Sequence, residues 1–153
     1  MQPEPALFWT VLAGCGLAIA VVGWFDLALL WYPLRFGDAE WEFGTISAHL
    51  NGLPLGTLGL ALVAAAALAG GKRRTARALA VLCLLIVVSL LAAGLIYLLD
   101  VPVVWRAANS PAIQHVVKKA MLKAGIFAAT YFVFYAWLAL ILWRGSRVTR
   151  DPA

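Results

Sequence analysis

Ala78-Leu79-Ala80-Val81-Leu82-Cys83-Leu84-Leu85-Ile86-Val87-Val88-Ser89-Leu90-Leu91-Ala92-Ala93-Gly94-Leu95-Ile96-Tyr97-Leu98-Leu99 runs through twenty-two residues without a charge. A helix needs about 17 to 25 apolar residues to cross roughly 30 Å of hydrocarbon, and a helix satisfies its own backbone there. Three further runs have the same character: Phe8 to Trp31, Leu53 to Gly70 and Leu122 to Trp143. The sequence therefore predicts an all-α, four-helix transmembrane bundle in a single domain covering residues 1–153, with spans at 8–31, 53–70, 78–99 and 122–143. Hydrophobic residues make up 64% of the chain and charged residues only 12%, about half the charged share of a soluble domain. That composition excludes a water-soluble core.

The first run has the position of a secretory signal but not its make-up. Met1 to Leu7 carries Glu4 and no Lys or Arg, and the run is longer than a signal's apolar region. It is expected to stay as the first span. Cys15 and Cys83 fall inside runs, with no metal-ligand spacing, and read as small packing residues.

The net charge of +5 does not point to nucleic acid, because the cations gather at the ends of the runs, as they do beside an anionic leaflet. Lys72, Arg73, Arg74, Arg77, Arg144, Arg147 and Arg150 fall on one side. Arg35, Arg106, Lys118, Lys119 and Lys123 fall on the other, with Asp38, Glu40, Glu42 and Asp100. Seven against five predicts a multi-pass protein with both termini in the cytoplasm.

The short connection between the second and third runs predicts an antiparallel hairpin. On the outer side, Glu40-Trp41-Glu42-Phe43 suggests a short interfacial helix, since aromatic rings favour the water-lipid boundary. Asn109-Ser110-Pro111 reads as a helix start, with Ser110 as cap and Pro111 where no N–H is needed. The helix it opens carries Gln114, His115, Lys118, Lys119 and Lys123 out of the membrane before crossing it. Gly52 with Gly56, and Gly14 with Ala18, are small pairs at the spacing that lets helices approach closely.

Few residues suggest chemistry. Asp26 is the one acid within a run, and an intramembrane carboxylate needs a partner; Arg35 or Arg106 is the expected one. His49 and His115 lie on the outer side, where facing histidines can ligate a haem or a transition metal and either can serve a chlorin. Without them no cofactor is implied. Glu40 and Glu42 are two apart, so on a helix they point different ways and do not make an acid/base pair; pairing with Lys118, Lys119 or Lys123 is the expectation. Ser89, Thr57 and Thr130 are expected to bond a carbonyl one turn back. No nucleophile, base and oxyanion set can be assembled, and no enzyme is predicted.

The stretch from Tyr32-Pro33-Leu34 through Trp41-Glu42 to Ile46, followed by Leu53-Pro54-Leu55-Gly56-Thr57-Leu58-Gly59-Leu60, resembles the first outer loop and second span of the cyanobacterial HpsJ-like membrane proteins. Lys123-Ala124-Gly125-Ile126-Phe127 is a second, fainter echo. The resemblance implies an inner-membrane accessory protein linked to exopolysaccharide secretion, with no catalytic residues to carry over.

The functional expectation is a non-catalytic accessory or assembly subunit of a larger membrane complex. Its partners would be the bilayer and other membrane subunits, met on the outer face through Glu40, Trp41, Glu42, Trp105, Lys118, Lys119 and Lys123. Two alternatives stay open: a small subunit of a photosynthetic or respiratory complex, and a haem- or chlorin-binding redox protein using His49 and His115.

Overall fold

The computed structural model describes residues 5–148. It is all-helical: α1 is Pro5–Leu30, α2 Ala39–Ala69, α3 Arg73–Ala107 and α4 Pro111–Val148. Each is long and apolar enough to cross a membrane, so the chain is a multi-pass membrane protein in contact with lipid. At 1.5 Å per residue, the 38 residues of α4 span about 57 Å. That is nearly twice the hydrocarbon thickness.

The separate interfacial helix expected before the second span does not form. Residues 39–52 and the span are one helix, with Pro54 inside it, and α3 likewise runs through Pro102. A proline costs the helix one hydrogen bond and crowds the carbonyl four residues back. Pro54 and Pro102 are both exposed. Helix ends come instead from local chemistry. Asp38 caps α2 by accepting from the backbone N–H groups of Glu40 and Trp41. Gly71, at φ 64°, turns α2 into α3 in a left-handed conformation that suits glycine. Ser110 caps α4 as predicted, its Oγ accepting from the Ile113 N–H at 3.3 Å.

Packing is uneven. α2 touches all three other helices and α3 packs on α4, whereas α1 packs on α2 alone. The core fills the space among α2, α3 and α4 with Leu53, Leu60, Cys83, Tyr135 and Leu142 at its centre. Within it Thr57 Oγ1 and the Tyr135 hydroxyl share a 2.7 Å hydrogen bond. Thr57 therefore does not bond back to its own helix, unlike Ser89 and Thr130, which donate to Leu85 O and Ile126 O.

The α1–α2 seam is made of small residues. A Cβ on Gly23 would stand 2.5 Å from Gly56 N, one on Gly16 2.9 Å from Gly59 O, and one on Gly59 would overlap Ala20 N. Gly56 is thus in the seam as its spacing suggested. Gly14 and Ala18 are not: both are exposed, and a Cβ on Gly14 would meet nothing. Cys15 is exposed too, so of the two cysteines only Cys83 packs in the core.

Candidate functional site

Among the described residues, the C-terminal ends of α1 and α3 and the N-terminal part of α2 hold most of the polar and aromatic side chains that interact. Gly37, at φ 92°, folds the α1–α2 connection so that its N–H donates to Glu42 Oε1 at 2.7 Å. Trp31, Phe36 and Trp41 gather above α2, with Trp41 edge-on to Trp31 at 5.8 Å and to Phe36 at 6.0 Å. Trp41 is therefore spent inside the chain and is not the free anchor its sequence position suggested. Trp105 remains 40% exposed.

Below that cluster the Trp31 indole N–H donates to His49 Nδ1 at 3.1 Å. An indole nitrogen is a donor only, so the accepting ring nitrogen is unprotonated and the hydrogen of neutral His49 sits on Nε2. Trp24 approaches the same imidazole, with ring centroids 6.5 Å apart, and its own indole lies over Gly56, whose missing side chain makes the room. These residues wall one side of a cleft of about 470 Å³, closed on the other side by Ile86, Ser89 and Ile96 of α3. α1 and α3 make no direct backbone contact, so the cleft lies between them.

A second polar cluster joins α2 to α3. Tyr97 stacks on Phe43 at 4.6 Å and accepts a hydrogen bond from Ser47 at 3.3 Å. One turn on, Asp100 is buried against Glu42, within hydrogen-bonding reach of its carboxyl. Asp100 Oδ2 has no other partner. Two carboxylates have no donor between them, so this contact is a hydrogen bond only when one of the pair carries a proton.

The remaining predicted residues stay apart. His49 faces α1, whereas His115 is exposed on α4, which does not touch α1; the two histidines do not form one ligand pair. Trp31 also occupies the His49 lone pair that a metal would take. Among the described residues no three metal-ligating side chains come together. Lys118, Lys119 and Glu40 are exposed. Lys123 lies over the Phe127 ring, 5.4 Å from its centroid, and Glu42 is engaged with Gly37 and Asp100 instead of the lysines. Asp26 is exposed on the flank of α1, one turn from the exposed Val22, and pairs with neither Arg35 nor Arg106 among the described residues.

Sequence reasoning missed Trp24, Trp31 and Asp100. The i to i+7 spacing of the two tryptophans places them on one face of α1, and that face is turned toward His49. No family model, curated protein or solved structure matches the chain.

Proposed function

We propose that the protein is a non-catalytic accessory or assembly subunit of a larger complex in a bacterial inner membrane, with both termini cytoplasmic and α1 as the helix that meets its partner. The observation that carries this reading is the one-sided attachment of α1. Its seam is fixed to α2, while Val11, Cys15, Val22, Phe25 and Asp26 face away from the chain. Apolar side chains there suit lipid, but a carboxylate does not. Asp26 stands four residues from the helix end, about 6 Å, at the edge of the hydrocarbon, where a neighbouring chain that donates a hydrogen bond or a cation would relieve the cost of its desolvation. The resemblance to the HpsJ-like proteins supports the same reading and suggests polysaccharide secretion as the setting.

The test is copurification from native membranes in mild detergent, comparing the wild type with Asp26→Leu and Asp26→Asn. Leucine makes α1 more apolar, so insertion is not impaired, and it should release the partner. Asparagine, which keeps a hydrogen-bonding group, should retain it. A wild-type protein that migrates alone, or Asp26→Leu that keeps its partners, overturns the proposal.

A further inference from the structure

We propose that the cleft between α1 and α3 binds a lipophilic molecule with a planar, uncharged carbonyl head of the quinone type, held by the imidazole N–H that Trp31 leaves free on His49. The hydrogen-bond arrangement carries this. His49 accepts from Trp31 through Nδ1, so Nε2 bears a hydrogen and has no acceptor among the described residues. Among the described residues, buried side-chain polar atoms without a partner are confined to Asp100 Oδ2, so the His49 N–H is reachable. Trp24 lies beside it, its ring 6.5 Å from the imidazole and its indole nitrogen set against Gly56. Ser89 gives its hydroxyl hydrogen to Leu85 O. The cleft thus offers the His49 N–H in an apolar surround, and calls for an acceptor.

Charge and shape narrow the ligand. No Lys, Arg, Asp or Glu lines the cleft, which disfavours an ionic head in a water-poor site. Trp24, Trp31 and Phe36 present flat walls, suited to a planar conjugated ring. About 470 Å³ falls within the usual range for small-molecule sites. Because α1 and α3 do not touch, an isoprenoid tail can leave between them into the lipid. The ester carbonyls of a glycerolipid offer the same kind of acceptor without the planar ring, so the test separates the two.

Purified protein in phosphatidylcholine nanodiscs is titrated with decylubiquinone, and binding is read from quenching of tryptophan fluorescence. Saturable quenching is expected. His49→Phe should raise the apparent Kd about tenfold, the worth of one desolvated hydrogen bond, while His49→Gln, which retains an N–H donor, should stay near the wild type. Ala92→Phe fills the cleft without removing any donor and should also abolish saturable binding, and His115→Ala should change nothing. Folding of each variant is checked by size exclusion and far-UV circular dichroism; if His49→Phe fails to fold, His49→Gln and Ala92→Phe carry the test. Linear quenching that is the same in all variants means partition into lipid only and overturns the proposal. So does displacement of the quinone by an equal concentration of short-chain phosphatidylglycerol, which would make the cleft a glycerolipid site.

Discussion

Asp26 and Asp100 are both acids toward the same end of the helix array, and their surroundings give them opposite properties. Asp26 is exposed on one flank of α1, whereas Asp100 is buried between α2 and α3 against a second carboxyl. In sequence Asp26 stood out because apolar residues flank it on both sides, while Asp100 looked like the polar end of a run. What sets Asp100 apart is Glu42, fifty-eight positions earlier, and nothing local announces that contact. A permanent donor at this position removes the need for a shared proton. Asp100→Asn is therefore expected to hold or raise stability at pH 8, by about 0.5 to 1.5 kcal/mol, in thermal unfolding followed by circular dichroism. A clear loss would mean that Asp100 has another partner. The histidines teach the same lesson: His49 and His115 look equivalent in the chain, and only the approach of Trp31 fixes which ring nitrogen of His49 carries the hydrogen.

At the scale of elements, the four spans were plain from apolar length, but their faces were not. In a membrane both the lipid side and the packed side of a helix are apolar, so hydrophobic periodicity cannot tell them apart, and small residues are the better guide. Even those misled at Gly14 and Ala18, because in an alanine-rich helix such pairs occur on every face. Pro54 and Pro102 lie inside α2 and α3, as membrane helices tolerate. The seam makes a sharp prediction. Gly59→Ala drives a methyl group into the α1 backbone at Ala20 and should cost about 1 to 3 kcal/mol by overpacking. Gly14→Ala, in open space, should be neutral or slightly stabilising. Unfolding titrations in sodium dodecyl sulfate would rank the two, and equal effects would mean that α1 meets α2 along a different face.

For the whole molecule, the sequence made an up-down chain of four spans evident, while the peripheral place of α1 was hidden, because helix count and loop length do not say which helix becomes the hub. The fold does determine which loops share a side. The Gly70–Lys72 turn and the last turn of α4 lie at one end of the antiparallel array, and the α1–α2 connection and residues 108–110 at the other. Orientation across the membrane then rests on charge. Lys72, Arg73, Arg74 and Arg77 crowd one short turn without an acid, and short basic connections stay in the cytoplasm. Against them stand Lys118, Lys119 and Lys123, on the part of α4 that extends beyond the hydrocarbon. With Arg35 and Arg106 they make five, fewer than the seven on the other side once the three cations after the fourth run are counted with the turn, and Asp38, Glu40 and Glu42 share their side. With Cys15 and Cys83 replaced by serine and alanine, Asn109→Cys should react with a membrane-impermeant maleimide on intact cells, and Thr75→Cys only after permeabilisation. The reverse pattern would place the basic turn outside. It would also move the α1–α3 cleft to the cytoplasmic half of the membrane, changing which leaflet a cleft ligand or an α1 partner approaches from.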